Sequence, residues 1–330
     1  METSDHWPCV IQISTSIPQP NLFRFENHWL KHEDFIDVAV HGWKAPEHAK
    51  FKNLRKDLKE WRKKLPNLAL AIEKVKMVLN FLETLETFRD LSLLEWNFRS
   101  LVSGKLVSLL QQQKIYWKQR EKIRWVREGD ATTKYFHSHA TIRYRSNKIA
   151  TPQDESGNTI HEHNQKAILL WNTFKERMGV SEFDSMAFDL QHLIQPSEDL
   201  DHLEADFTHQ EIEAVINELP RNKSPGPDGF SNEFIEECWP LIKWDIINLC
   251  QEFQNSEICL KSINSSFITL IPKKDSPISP NDFRPISLLN TSMKIITKLL
   301  ANRLQRKIQN LIHQNQYGFI KKRSIQDCLA

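Results

Sequence analysis

Leu65, Leu68, Ile72, Val75, Leu79 and Leu82 recur at spacings of three and four, which places them on one stripe of a helix. Leu91, Leu94, Phe98, Leu101, Val102, Leu106, Leu109 and Leu110 form a second such run. The helical pattern extends from Pro46 to Arg127, with Pro66 kinking or capping the first long helix because it removes a donor. Two long helices packed antiparallel would bury both stripes and leave the Lys/Arg faces in water. Ahead of them, residues 1–40 have the pattern of a strand-and-turn tail: CVIQIS alternates apolar and polar, and Pro18 and Pro20 break it. Beyond them come a turn at Glu155–Asn158, a helix from His163 to Met178 and an Asp-rich connector over 181–206. Thr208 followed three residues later by Glu211 is a capping box, and the helix it opens ends before Pro220. Helices are predicted at 231–238 and from Pro240 to Asn255, with Pro240 in a first turn. A strand follows at 264–271. A long helix from Ser292 to Asn310 carries Ile295, Ile296, Leu299, Leu300, Leu304 and Ile308 on one side. The pattern predicts a mostly helical α+β protein.

At 330 residues the chain accommodates two or three folded units, and its 8 glycines favour helix. No apolar run approaches ~18 residues, so no membrane span is predicted. METSDHWPCV lacks the basic start and apolar core of a secretion signal. The 5 cysteines contain no CxxC pair; a reduced nuclear or cytoplasmic setting fits them better than a disulfide framework or zinc ribbon. The net charge of +2 conceals −4 over residues 1–49, +13 over 50–148, −12 over 149–220 and +5 over 221–330. A basic block of this size attracts polyanions, or else packs against the acidic block and solvent. Residues 114–148 hold 10 basic and 3 acidic residues, interleaved with Tyr116, Trp117, Trp125, Tyr135, Phe136 and Tyr144. Phosphate contacts plus stacking faces are what single-strand or RNA binding needs, which makes Lys118, Arg120, Lys122, Arg124, Arg127, Lys134, Arg143 and Arg145 candidate nucleic-acid contacts. The pairs His137/His139 and His161/His163 lack nearby cysteines or i,i+4 spacing and predict no metal site.

Three motifs carry chemistry. NSSFITLIPKKDSPISPNDFRPISLLN (264–290) is an apolar strand ending in Lys273 and Lys274, a Pro/Ser-rich loop, and a Phe-Arg-Pro-Ile-Ser element containing Arg284. Upstream stands RNKSPGPDGF (221–230), and downstream NQYGFIKKRSIQDCLA (315–330). Together they resemble the front half of the reverse transcriptase of LINE-type, non-LTR retrotransposons of plants. Lys223, Ser224, Gly226, Pro227, Asp228 and Gly229 match that family's Lys-Ser-x-Gly-Pro-Asp-Gly. Gln316, Gly318, Phe319, Arg323, Ser324 and Asp327 match its Gln-x-Gly-Phe-x-x-x-Arg-Ser-x-x-Asp. WVREGDATTKYFHSHATIRYRSNKI (125–149) resembles a segment of the plant LINE proteins. Ser4-Asp5-His6 resembles the last catalytic motif of the endonuclease/exonuclease/phosphatase family, and Phe23–Trp29 the linker after it.

The resemblance implies an endonuclease remnant over 1–40, a basic helical linker over 41–148, an acidic connector over 149–207, and the fingers with the start of the palm over 208–330. It implies triphosphate binding by Arg284 and by Lys273 or Lys274. Template contact is implied for Lys223, Ser224, Gly226, Asp228, Gln316, Gly318, Phe319 and Arg323. The family's partners are an RNA template and a DNA primer, and its intact members use Mg²⁺ held by carboxylates beyond the last motif present. The chain contains no Asp-Asp pair; the expectation is a catalytically incomplete fragment that holds no Mg²⁺, with Asp5 and His6 a remnant. Two other readings stay open: a nucleic-acid-binding module without catalysis, and a helical scaffold that self-associates through its Leu stripes.

Overall fold

A computed structural model of the protein describes residues 22–44, 46, 50–121, 133–149, 152–154, 156–179, 200–257, 263–313, 315–318, 320, 321, 323 and 324. The chain divides into two compact units. One joins Arg24–Leu65 to Ile149–Ala330, and the other holds Met1–Phe23 and Pro66–Lys148.

In the first unit, a 3₁₀ turn at Asn27–Lys31 leads into α1 (Phe35–Trp43) and α2 (Lys50–Lys64). Phe35, Ala39 and Trp43 fall at four-residue spacing and are buried, as are Leu54, Leu58 and Trp61 on α2. Gly42 lets these helices close: a Cβ there would stand 2.8 Å from the Leu54 Cα. The strand-and-turn tail expected for residues 1–40 is therefore corrected over 27–40, where the apolar spacing is helical; CVIQIS lies outside the described residues.

This segment forms one wall of an aromatic core. Phe25 meets Phe234 at 5.1 Å and Phe35 at 5.7 Å between ring centroids, and Phe230 meets Phe234 at 4.6 Å. The Phe25 N–H donates to the Gly229 carbonyl at 2.8 Å, and the buried Ser231 hydroxyl to Asn27 Oδ1 at 2.8 Å. The boundary expected between 40 and 41 falls inside α1. The observed division lies at Leu65–Pro66, because the aromatic residues of 25–61 pack on 230–234 and the chain breaks at Pro66.

The same unit holds α6 (His163–Met178), α7 (Asp201–Glu204), α8 (His209–Glu218), α9 (Asn232–Glu237), α10 (Trp239–Gln254) and α11 (Thr291–Leu311), with α11 packed on α7 and α8. The capping box forms as expected: Thr208 Oγ accepts from Glu211 N while the Glu211 carboxylate accepts from Thr208 N. On α11, Ile295, Ile296 and Leu299 are buried, whereas Leu300 and Leu304 are exposed. Strands β1 (Ser266–Pro272) and β2 (Phe283–Leu289) make an antiparallel hairpin running from the pair Ser266–Leu289 to the pair Pro272–Phe283.

In the second unit, α3 (Leu68–Glu86) packs on α4 (Leu93–Glu121), and α4 on α5 (Thr133–Ser146). Pro66 precedes α3, whose first turn is capped by Asn67 Oδ1 accepting from Ala69 N at 3.0 Å and Leu70 N at 3.3 Å. Ile72, Leu82 and Leu109 are buried as expected. Leu94, Phe98 and Leu101 are not, at 80 %, 50 % and 74 % exposure. The eight positions of that second run fan over about half of the helix circumference at 100° per residue, more than one neighbouring helix covers. Among the described residues no helix is long and apolar enough to cross a membrane.

Candidate nucleotide and nucleic-acid site

The hairpin β1–β2 carries the cationic residues of the 264–290 motif, and its connecting loop is built to be stiff. Ser279 Oγ accepts from Asn281 N, and the Asp282 carboxylate accepts from the amides of Ile278 and Ser279, each at 3.0 Å. These bonds and Lys274 hold the Asp282 carboxyl below its usual range. Lys274 Nζ lies 3.0 Å from Asp282 Oδ1, and Lys273 Nζ donates to the Asn281 carbonyl at 2.8 Å. Both lysines are thus turned back onto their own loop. Gln153 N donates to Ile278 O at 2.6 Å, and Arg177 of α6 bonds Asn281, so these two residues brace the loop.

Arg284 stands opposite Ile271 on the neighbouring strand. It is exposed and has no ion-pair partner among the described residues. On its face of the hairpin, Ile271 and Ile286 are also partly open to solvent.

The second motif folds differently from a surface loop. Asp228 sits half-buried in the turn, with Oδ1 accepting from Phe230 N at 3.3 Å and Oδ2 from Thr291 N at 2.7 Å. Its own N–H donates to Asn290 Oδ1 at 2.9 Å. Burial pushes the Asp228 carboxyl upward, and those amide bonds oppose the rise. Gly226 lies against the end of β2: a Cβ there would stand 2.4 Å from the Leu289 carbonyl, so only glycine allows the approach. Gly229 has φ +81°. Lys294 Nζ donates to Ser224 O at 3.1 Å, and burial lowers its pKa. Lys223 is exposed.

Arg323 is similarly engaged, with its guanidinium donating to the carbonyls of Gln309, Ile312, His313 and Gln316. Gln316 is exposed, and a Cβ at Gly318 would stand 3.5 Å from the Gln316 side chain. In the other unit, Lys118, Arg143 and Arg145 are exposed, and the Arg120 guanidinium lies 3.4 Å from the centroid of the Tyr116 ring. Asp5, His6, Lys122, Arg124, Arg127, Phe319, Asp327 and the side chain of Lys134 lie outside the described residues.

Sequence reasoning missed Asn290, which joins three segments: it accepts from Asp228 N and donates to Ile263 O at 2.9 Å and Ser265 Oγ at 3.1 Å. It missed Lys294 as well. The loop's capping box was visible as Ser279-Pro-Asn-Asp282; nothing local marks Asn290. The described carboxylates do not fit a metal pair. Among the described residues no group of three or more His, Cys, Asp or Glu side chains could hold a metal ion. Asp228 and Asp282 face backbone amides instead.

Residues 271–330 match the family described as reverse transcriptase (RNA-dependent DNA polymerase). The match begins in β1 and takes in the Arg284 strand and α11. Among curated proteins, the chain is 33% identical over 128 residues to the transposon TX1 uncharacterized 149 kDa protein of Xenopus laevis, covering 38% of this chain and 10% of that protein. It is 26% identical over 144 residues to the retrovirus-related Pol polyprotein from type-1 retrotransposable element R1 of Bradysia coprophila, covering 41% of this chain and 14% of that protein. The chain thus matches only about a tenth to a seventh of the length of these relatives. The matches are to a reverse transcriptase family over residues 271–330 and to proteins of retroelements over about two fifths of the chain.

Proposed function

We propose that this chain supplies the fingers of a LINE-type reverse transcriptase, and that Arg284 grips the triphosphate of the incoming deoxynucleotide while an RNA template lies alongside. The observation that carries this reading is the hairpin, whose loop and second strand lie in the matched segment and which holds one exposed arginine on a strand while Lys273 and Lys274 are tied to the loop. A planar guanidinium suits bidentate phosphate contact, and its position on a strand fixes its direction better than a loop would. The two lysines stiffen the base from which it projects. No step of nucleotide addition is assigned to the carboxylates described here; their geometry does not fit the Mg²⁺ pair that in-line transfer uses. The plant affinity is inferred from the motifs alone.

The test is binding of a deoxynucleoside triphosphate to the protein loaded with oligo(rA)·oligo(dT). Arg284→Gln is expected to weaken binding by on the order of tenfold, the worth of one charge-assisted bond. Lys273→Gln, which loses a loop contact, is expected to cost less than Arg284→Gln. Equal affinity in wild type and Arg284→Gln would remove Arg284 from the site.

A second reading, RNA binding by the basic helices, is favoured by the exposed Lys118, Arg143 and Arg145. Changing all three to Gln is expected to reduce the slope of log affinity against log salt by about two to three for single-stranded RNA. An unchanged slope would leave these cations as solvated surface.

A further inference from the structure

Helix α11 has no acidic residue in its first turn and no basic residue in its last. Its N-cap, Asn290, makes no side-chain capping bond. A helix of this length leaves four amides unpaired at one end and four carbonyls at the other, with a positive pole at the first and a negative pole at the second. Its own sequence answers neither need.

Two distant side chains do. At the N-terminus, the Asp228 carboxylate accepts from Thr291 N at 2.7 Å, and Thr291 Oγ donates to Phe230 O at 2.9 Å. At the C-terminus, the Arg323 guanidinium reaches the Gln309 carbonyl at 2.8 Å and the Ile312 carbonyl at 3.2 Å. Its other nitrogen bonds His313 O at 2.7 Å and Gln316 O at 2.8 Å. The anion therefore lies at the positive pole and the cation at the negative pole, each making hydrogen bonds as well as a favourable charge contact.

We infer that Asp228 and Arg323, from the two motifs flanking the hairpin, are positioning residues that clamp α11 at both ends and so set the direction of β2 and Arg284, rather than groups that touch the template. Three observations support this. Both Asp228 oxygens already face amides, and a carboxylate has no attraction for a phosphodiester. Both terminal nitrogens of Arg323 are each shared between two carbonyls. And β2 runs into α11 with only Asn290 between them, while Gly226 abuts the same junction. A helix steadied at both poles holds that junction still. The inference rests on the fingers reading only in naming what α11 steadies; the clamp itself is a statement about the helix.

The experiment compares Asp228→Asn, Asp228→Ala, Arg323→Gln and Arg323→Lys in the full chain. Amide hydrogen exchange along α11 is measured together with the salt dependence of oligo(rA)·oligo(dT) binding. Clamping predicts exchange about fivefold faster in the first turn for the Asp228 variants and in the last turn for the Arg323 variants. The salt slope stays unchanged. Arg323→Lys behaves like Arg323→Gln, because one ammonium cannot span four carbonyls. Template contact predicts the reverse: Arg323→Gln lowers the slope by about one, Arg323→Lys restores it, and exchange does not change. If Asp228→Ala unfolds, Asp228→Asn still reads the N-terminal turn, since the amide keeps only one of the two acceptors. Loss of triphosphate binding on Arg284→Gln tests the fingers reading separately; its failure leaves the clamp intact, and a slope change at Arg323 overturns the clamp alone.

Discussion

Arg303 is 4% exposed, and its guanidinium is fully engaged. It forks onto Glu211 at 3.1 and 2.8 Å, bonds the carbonyls of Leu203, Ala205 and Asp206, and lies 4.4 Å from the Phe207 ring centroid. Hydrogen bonding to Arg303 holds the Glu211 carboxyl at about 2, below its ordinary 4.5. Because the folded value is depressed, the stabilisation is complete above the unfolded pKa and is lost as pH falls from about 4.5 toward about 2. Urea titrations across that window are expected to show wild type losing stability more steeply than Glu211→Gln. At neutral pH, Arg303→Met is expected to cost about 3–5 kcal/mol, since it strands a partly buried carboxylate. Cys238 and Cys250 are buried, and burial pushes each thiol up to about 12. With Cys9, Cys259 and Cys328 changed to Ser, a thiol reagent is expected to label the protein only in denaturant. At this scale the capping box was legible because Thr208 and Glu211 are three residues apart. The partnership of Glu211 with Arg303 was not, because the residues meet only through the packing of α11 on α8.

Strand β1 and α11 were readable from an apolar run and from helical periodicity, which are local properties of the chain; β2 (Phe283–Leu289) was not predicted as a strand. What the motif around Asp228 does was not readable, since a turn rich in Pro and Gly looks the same whether it faces solvent or a helix end. Gly226 shows the difference. Gly226→Ala is expected to destabilise the protein by about 1–3 kcal/mol, because the new methyl meets backbone rather than a side chain able to move. Equilibrium unfolding of that variant checks it, and a neutral result would mean that the turn can leave β2 without cost. The Leu-rich run on α4 was read too generously: residues on a helix share a buried face only if a neighbour is wide enough to cover them, and spacing alone does not supply the neighbour.

On the scale of the whole molecule, the N-terminal helices belong to the unit that holds the hairpin although about eighty intervening residues separate them from it in sequence. Composition suggested otherwise, because the charge changes sign near residue 50 while the aromatic core does not respect that change. Phe25→Ala is expected to cost about 3–5 kcal/mol and to lower protection in α9 as well as in α1. A chain lacking 24–65 is expected to bind a hydrophobic dye through uncovered Phe230 and Phe234, whereas 66–148 retains its helical circular dichroism. The discontinuity has a temporal side. On a ribosome Phe25 emerges some 200 residues ahead of Phe234, about 10–40 s at ordinary elongation rates. During that interval Phe25, Trp29 and Phe35 have no Phe230 or Phe234 to cover them. The pace of translation through the intervening unit sets how long these rings wait for the partners that cover them in the folded chain.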